Sequence, residues 1–413
     1  MSISKHFIAA TILIAVACHS SWAGTNCCEQ AACCEPSCCE ASCCDDSCCR
    51  DSCCGKPIFC VGPISDVEIN GWISSGIFGN AYGAALNGPL GFNDVGDGYT
   101  LNQLWISIGK EADTGGSGVD WGVKFDYVFG VDGPDTQCFG DETWDFGWSS
   151  GRDYGSAIPQ LYGEVAIDNL TIKAGHFYTI IGWEVVQAPD NFFYTHAYTM
   201  YYGEPFTHTG FLASYDLGDK LTVHGGWTDG WDNAGDPQGA STFLGGLSYS
   251  FSDDASLAWA MSTGTLGDFD GNPNGDVYMN SFVFEWNMTD RFTYIFQHDL
   301  GAISGVGATQ AQWYGINQYF QYELNDRWAA GMRVEWFRDD DGVRIPVDQA
   351  GHGLAGNYYE ITWGLNYTPC DCLMIRPELR YDWFKGDTTR GAPFDNNTKS
   401  AQFSGGFDLI YKF

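Results

Sequence analysis

Basic residues are scarce in this chain of 413 residues, which has 19 Lys and Arg against 52 Asp and Glu and a formal net charge of −33. Binding of nucleic acid depends on Lys and Arg patches that neutralise phosphates, so this composition argues against a nucleic-acid partner. The excess of carboxylates predicts a well-hydrated surface that attracts cations.

Long apolar runs are missing beyond the first residues of the chain. No later window approaches the roughly 20 apolar residues that a membrane-spanning helix needs. This absence excludes a helical membrane protein. It does not exclude a membrane protein built of strands, because the strands of a β-barrel carry only short alternating segments.

Signals of catalysis are missing as well. The eight His residues are scattered along the chain, and none lies in a recognisable nucleophile motif. We therefore expect a protein that is not an enzyme and that has no cofactor.

The chain begins with a segment that is typical of export. In MSISKHFIAATILIAVACHSSWA, Lys5 precedes an apolar run, and a small-x-small cleavage site ends at Ala23. The run is too short to span a bilayer, so we predict a signal peptide over residues 1–23. A second interpretation is lipoprotein-type processing at Cys18.

Residues 24–66 follow the predicted signal peptide and carry most of the 17 cysteines, largely as adjacent pairs. The pairs differ from the Cys-x2-Cys spacing of zinc ribbons, and no His lies between them. After export, an oxidising compartment makes disulfides the default. We predict disulfides within this segment or to other envelope proteins; metal-binding thiolates and a partly reduced tether are the alternatives. The candidate cysteines are Cys27, Cys28, Cys33, Cys34, Cys38, Cys39, Cys43, Cys44, Cys48, Cys49, Cys53, Cys54 and Cys60, together with Cys370 and Cys372 in a later turn.

Beyond residue 66 the sequence alternates apolar and polar residues with period two. In VDWGVKFDYVF (119–129), Trp121 and Phe125 share one face, and Lys124 and Asp126 fall on the other. About sixteen such segments, of about ten to thirteen residues each, continue to the end of the chain. Their length suits a tilted strand that crosses a bilayer, and an even number suits a closed bacterial barrel.

The connections between these segments alternate between short and long. The predicted long connections cover residues 80–98, 131–157, 182–205, 231–242, 267–276, 301–310, 339–357 and 386–399. Outer-membrane barrels have short periplasmic turns and long external loops. We therefore predict an all-β fold, a transmembrane antiparallel up-and-down β-barrel over residues 67–413, preceded by the Cys-rich periplasmic segment. A soluble sandwich or propeller is the alternative, but no blade repeat is visible.

Three stretches resemble the second family of β-barrel outer-membrane porins: AGHFYTIIGWEVVQAPDNFFYTHAYTMYYGEPFTHTG (174–210), LNQLWISIGKE (101–111) and FDLIYKF (407–413). The resemblance covers roughly residues 67–413. It implies a pore-forming protein of a diderm outer membrane whose final residue, Phe413, is recognised by the barrel-assembly machinery. Porins of similar architecture are often trimers, which implies a homotrimer here.

If the apolar faces contact outer-membrane lipid, the opposite faces line the lumen. Arg333, Arg376 and Arg380 would form a basic wall there. Selectivity for ions is one role for these charges, and mutual pairing is the alternative. The predicted pore-lining residues are Lys124, Asp126, Glu164, Lys173, Arg333, Glu335, Glu360, Arg376, Glu378 and Arg380, with Glu285 among further lumen-facing charges.

The third long connection, residues 182–205, is rich in aromatic residues and would be poorly solvated outside the barrel. In general porins that resemble this architecture the third external loop folds inward, and we expect the same here. Acidic residues of this loop opposite the basic wall would create a transverse field. The predicted constriction residues are Glu184, Asp190, Tyr194, His196 and Glu204.

These features predict a water-filled diffusion channel for ions and small hydrophilic solutes. The net acidity predicts a preference for cations that weakens at high salt. Asp-rich segments 267–276 and 338–342 do not match the twelve-residue calcium loop, so solvated loops are expected. A structural anchor cross-linked through the Cys-rich segment and a barrel enzyme are the alternative functions.

Overall fold

The computed structural model describes residues 59–60, 66–96, 98–139, 144–151, 153–234, 239–269, 272–304, 310–346 and 353–413. The predicted signal peptide and the cysteine pairs from Cys27 to Cys54 lie outside the described residues. Within the described part of the chain, no helix has both the length and the apolar character needed to cross a membrane.

Sixteen long strands make up nearly all of the fold. They are β1 Glu68–Asn80, β2 Gly98–Lys110, β3 Val119–Gly130, β4 Tyr154–Ile167, β5 Leu170–Tyr178, β6 Thr207–Asp216, β7 Leu221–Thr228, β8 Ser241–Ser252, β9 Ala255–Phe269, β10 Asn272–Thr289, β11 Phe292–Ile303, β12 Ala311–Asn325, β13 Trp328–Asp339, β14 Gly356–Cys370, β15 Leu373–Gly386 and β16 Ala401–Lys412. Two-residue strands at Phe59–Cys60 and Ser149–Ser150 pair with the beginnings of β1 and β4.

Each long strand pairs antiparallel with its neighbour in sequence, and the sheet closes on itself. Closure is made by β16 and β1, where Tyr411 pairs with Ile73 and Ser404 pairs with Asn80. Because a closed sheet leaves no unpaired strand edge, all ladder hydrogen bonds are satisfied within the barrel. The prediction of a sixteen-stranded up-and-down barrel is confirmed.

Side chains alternate between the outside and the inside of the barrel, as period-two sequences require. On β3, the outward Trp121 is 48% exposed, whereas the inward Val128 is fully buried. Large apolar residues are exposed in the same way on other strands, for example Phe211, Phe282 and Leu379. An apolar outer face of this kind needs hydrocarbon around it.

Short helical segments occur only in the connections of the described chain. They are an α-helix, α1, at Asp132–Thr136, 3-10 turns at Gly91–Asn93 and Ala188–Asp190, and a π-helical turn at Thr199–Gly203. The last two belong to the connection between β5 and β6.

The predicted connections differ from the structure at two places. Residues 267–276 were expected to form a long loop, but β9 continues to Phe269 and β10 begins at Asn272, which pairs with Phe269. The Gly, Asn and Pro residues of these strand ends are typical of loops, yet the ladder includes them. At the opposite end of the barrel, Cys370, which the sequence indicates as part of a turn, is the last residue of β14.

Candidate functional site

The connection between β5 and β6, residues 179–206, lies inside the barrel and is called the internal loop here. Its aromatic side chains Phe193 and Tyr198 are only 2% exposed, and Thr199 is fully buried. Buried residues of the loop share hydrophobic clusters with inward-facing residues of β1 to β4 and of β10 to β15, among them Phe78, Val128 and Tyr319. The loop therefore occupies the lumen between these strands.

Two carboxylates of the barrel wall accept hydrogen bonds from the backbone of the internal loop. Glu335 accepts the N–H groups of Tyr198 at 2.7 Å and Thr199 at 2.6 Å, and also the Thr199 hydroxyl. Glu378 accepts the N–H groups of Tyr194 at 2.8 Å and Thr195 at 3.2 Å, and the Thr195 hydroxyl at 2.5 Å. Hydrogen bonds to an ionised acceptor are stronger than neutral ones, so these carboxylates hold the loop at two points.

Arg376 fixes the loop through its carbonyl groups. Its Nη1 atom donates to the carbonyl oxygens of Ala188, Asn191 and Phe193, at 2.7 to 2.9 Å. Its other two nitrogens bind both carboxylate oxygens of Asp408 at 2.9 and 2.7 Å. The planar guanidinium thus joins Asp408 of strand β16 to three carbonyl groups of the loop backbone at once.

Arg333 is the centre of a buried ion-pair network. It contacts Glu360 at 2.5 Å and Glu184 of the internal loop at 2.7 Å, and donates to the Thr195 carbonyl at 2.7 Å. Arg380 donates to Asp382 at 2.9 Å and to the His196 carbonyl at 2.6 Å. Wall and loop are therefore joined by ionic contacts as well as by backbone hydrogen bonds.

The basic wall is consequently covered by protein. Arg333 and Arg380 are fully buried and Arg376 is 2% exposed. Glu335, Glu360 and Glu378 are buried with them. These six side chains point into the barrel, but the prediction that they line a water-filled lumen does not describe this structure, because the internal loop lies over them.

The remaining predicted constriction residues have different positions. The Tyr194 hydroxyl donates to Asn102 at 3.0 Å, and the Nε2 atom of His196 lies 3.1 Å from the carbonyl oxygen of Val185. Glu204 is buried and accepts a hydrogen bond from the Gln297 amide. Asp190 alone among the five is exposed to solvent.

Glycines on the inner faces of the strands make room for the loop. A Cβ atom at Gly331 would lie 2.3 Å from the Phe192 ring, and one at Gly315 would lie 2.3 Å from the Thr199 hydroxyl oxygen. Real Cβ atoms do not approach other atoms so closely, so both positions require glycine while the loop is in place.

The other side of the lumen keeps partly exposed polar side chains. Lys124 is 31% exposed, and Glu164 and Lys173 of β4 and β5 are opposite each other in register. Inward-facing His224 and Glu285 are also partly exposed. Asp126, by contrast, is buried and accepts a hydrogen bond from Gln160 at 2.7 Å. Strands β3 to β10 thus retain inward-facing polar side chains that can contact water.

A buried polar cluster lies beside the lumen at the long-loop end. Cys138 Sγ is 3.2 Å from His176 Nε2, and the other ring nitrogen of His176 is 2.8 Å from the Thr209 hydroxyl. Burial raises the pKa of the Cys138 thiol, which keeps it protonated and unreactive. Asp145 accepts the Cys138 N–H, and burial raises the pKa of its carboxyl to about 6.

The two cysteines predicted in a short turn lie side by side. The Sγ atoms of Cys370 and Cys372 are 3.3 Å apart, which is too far for a disulfide bond between them. Cys60 belongs to the short strand Phe59–Cys60 at the same end of the barrel, where it pairs with Glu68. Among the cysteines whose side chains the structure describes, Cys138, Cys370 and Cys372 are free thiols.

The last residue completes the barrel seam. The Phe413 N–H donates to the Gly71 carbonyl at 2.9 Å, and the Gly71 N–H donates back at 3.0 Å. Phe413 therefore extends the pairing of β16 with β1 to the end of the chain.

Sequence patterns alone miss several residues of this site. Thr195 and Thr199 bind wall carboxylates, and Asp408 pairs with Arg376. One sequence feature does indicate part of this site: inward-facing glycines occur on β12, β13 and β14, next to the charged positions. Such small residues indicate that another backbone comes close.

Comparisons with known proteins agree with this architecture. The family model described as "Putative beta-barrel porin-2, OmpL-like" (BBP2) matches residues 66–413. No curated protein sequence matches the chain.

Solved structures of similar fold are outer-membrane channels. An anion-selective porin from Comamonas acidovorans superposes with a TM-score of 0.57 at 8% identity, covering 84% of this chain and 99% of that one. The channel DcaP of Acinetobacter baumannii gives 0.53 at 12% identity, covering 84% and 97%. OmpT of Vibrio cholerae, in a trimer form, gives 0.50 at 12% identity, covering 84% and 99%. At these identities the likeness shows the fold, and the family match carries the assignment: the chain belongs to the beta-barrel porin-2, OmpL-like family of bacterial outer-membrane, porin-like β-barrel channels.

Proposed function

We propose that the protein is a porin whose water-filled path runs beside the internal loop and admits ions and small hydrophilic solutes by diffusion. The observation that carries the proposal is the asymmetry of the lumen. The three arginines of the basic wall and the neighbouring Glu335, Glu360 and Glu378 are covered by the loop, whereas Lys124, Glu164 and Lys173 keep contact with solvent. Planar-bilayer recording of the purified chain tests it, and a sealed barrel would contradict it.

Within this path the internal loop acts as the constriction. Of its predicted acidic residues, Asp190 is exposed, whereas Glu184 and Glu204 hold the loop through Arg333 and Gln297. Asp190 therefore acts on passing ions directly, and the other two act through the position of the loop.

We further infer a preference for cations, because carboxylates far outnumber basic residues in the chain. Replacing Glu164 by Gln is expected to lower the K⁺ to Cl⁻ permeability ratio about twofold, and Lys173→Gln is expected to raise it by a similar factor. Reversal potentials in a KCl gradient measure this ratio. The differences are expected to shrink near 1 M salt, where the Debye length is about 3 Å.

Asp253→Asn is the matched control for this measurement. Asp253 is an exposed residue of a short turn, so its replacement by Asn removes one negative charge outside the lumen. If Glu164→Gln and Lys173→Gln shift the permeability ratio no more than Asp253→Asn does, the proposed path does not pass these two side chains.

The Cys-rich segment, residues 24–66, is proposed to lie in the periplasm and to anchor or cross-link the barrel through disulfides. Support comes from Phe59–Cys60, which pairs with the beginning of β1 at the short-turn end, so the segment leaves the barrel there. A protein whose main role is this anchoring is the second candidate function. Phe413 is proposed as the signal for the barrel-assembly machinery, and a homotrimer is proposed by analogy with the trimer form of Vibrio cholerae OmpT.

Non-reducing electrophoresis of outer membranes is expected to show covalent oligomers or partner adducts that disappear on addition of reductant. Deleting residues 27–60 is expected to abolish these species and to leave channel conductance intact, because the barrel begins at Glu68. Monomer alone with and without reductant would contradict cross-linking. Loss of conductance in the deletion variant would contradict the separation of anchor and channel.

A further inference from the structure

A cavity of about 510 Å³ lies at the long-loop end of the barrel, beyond the internal loop. Described residues of four connections line it: Leu86 to Asp94 after β1, Tyr201 and Tyr202 of the internal loop, Pro346 after β13, and Pro393 with Asn396 and Asn397 after β15. A solute that enters from this end reaches the cavity before it reaches the loop.

The walls of this cavity are fixed by hydrogen bonds between the connections. Asn87 receives a bond from Asn80 at 2.9 Å, donates to the Asn93 carbonyl at 2.8 Å, and accepts through its own carbonyl from Gln402. A Cβ atom at Gly88 would lie 2.8 Å from the carbonyl oxygen of Pro393, so two connections touch there. A cavity held in this way exists before a ligand arrives, which lowers the cost of binding.

The backbone of one wall adopts an unusual conformation. Asp395, Asn396 and Asn397 have φ angles of 49°, 54° and 65° in succession, in the left-handed region that residues with a Cβ atom rarely adopt. Hydrogen bonds across this turn join Phe394 to Lys399 and Ala392 to Asn397. Strained backbone held by its surroundings is found preferentially where ligands bind.

The chemistry of the lining is apolar and acidic. Pro89, Pro346 and Pro393 line the cavity together with Tyr201 and Tyr202, and Asp94 supplies an exposed carboxylate. Among the described residues of the lining, which include Asn396 and Asn397, there is no Lys or Arg. Tyrosine rings attract cations through their faces, and a carboxylate nearby adds a charge interaction.

We propose that this cavity is a binding site for a small organic ammonium ion, one that carries alkyl groups on a permanent positive charge. Asp94 neutralises the charge, the tyrosine rings contact the ammonium group, and the prolines contact its alkyl substituents. A bare alkali ion would gain nothing from the apolar walls, and an anion would meet Asp94. The proposed binding site depends on the proposed porin function for one point only, namely that the cavity lies on the route by which solutes enter the channel.

Isothermal titration of the full-length protein in detergent micelles tests this site without requiring conduction. Choline is the probe, and 3,3-dimethylbutan-1-ol is its neutral counterpart of nearly the same shape. We expect choline to bind at least about tenfold more tightly than the alcohol, because only choline gains the cation–π and carboxylate contacts. Asp94→Asn is expected to weaken choline binding by about fivefold or more.

Asp219→Asn is the matched control, since it removes one exposed charge from a short turn at the other end of the barrel. Tyr201→Leu is a second variant, and heat-modifiable migration on gels verifies that both cavity variants are folded. Equal binding of choline and the alcohol, absence of choline binding, or an unchanged affinity in folded Asp94→Asn would each overturn the proposal. A protein that binds choline but does not conduct would contradict the porin function alone, and one that conducts but does not bind choline would contradict the site alone.

Discussion

Replacing Arg333 by Met is expected to release the internal loop and to raise single-channel conductance several-fold. Arg333 is fully buried and pairs with Glu184 of the loop and Glu360 of the wall. Without the guanidinium, Glu184 remains buried without its ionic partner and Glu360 keeps only Arg380 at 3.8 Å; breaking a buried pair in this way costs about 3–5 kcal/mol. The protein avoids this cost by moving the loop away from the wall, where water can solvate the carboxylates.

Conductance in planar bilayers measures how much the channel widens. Limited proteolysis tests independently whether the internal loop has been released. Arg338→Met is the matched control on the same strand, because Arg338 pairs with Asp340 in a partly exposed position. A pair of this kind contributes no more than about 1 kcal/mol, so conductance is expected to stay unchanged. If Arg333→Met conducts like the wild type and its loop resists protease, the ionic contacts do not hold the loop.

Gly331→Leu is expected to displace the same loop by steric means, with every charge retained. The first side-chain atom alone would lie 2.3 Å from the Phe192 ring. Gly331 pairs with Gln321 on one side and Gly364 on the other, so the strand cannot retreat from the contact. Overpacking typically costs about 1–3 kcal/mol, and the loop, which is not part of the hydrogen-bonded strand ladder, is the part that moves.

We expect Gly331→Leu to increase conductance and to lower the temperature at which the internal loop unfolds. Gly225→Leu is the control, because a Cβ atom there meets nothing closer than the Phe243 ring at 3.9 Å on the outer face. Should Gly331→Leu match the control in both measurements, the loop is not packed against β13 as described.

Much of the barrel could be predicted from the sequence because its physical cause is local. Alternation such as that of Trp121 and Asp126 follows from the geometry of a single strand, and it gives the direction of each side chain. The sixteen strands and the closure of the barrel could be predicted in this way. The extension of β9 to Phe269 and the start of β10 at Asn272 do not follow from the sequence, because ladder pairing with a neighbour overrules the loop-forming residues there.

The candidate site depends on contacts between distant parts of the chain, and local patterns do not contain them. The direction of Arg333 and Arg376 into the barrel was predictable, but their burial was not, since it depends on where the internal loop lies. Glu184 was expected to oppose the basic wall across water, and instead it touches Arg333 directly. The position of the internal loop decides between these two arrangements, and its Glu184 is about 150 residues away from Arg333 in sequence.

The seam between β1 and β16 joins the first and the last strand of the chain, and Phe413 itself forms part of it. Every other long strand pairs with its neighbour in sequence, whereas closing the ring brings together strands that are more than about 300 residues apart. Until this seam forms, the sheet has two bare edges that would recruit other strands. Closure is therefore the one pairing that removes both edges at once, and it is also the pairing with the greatest cost in chain entropy.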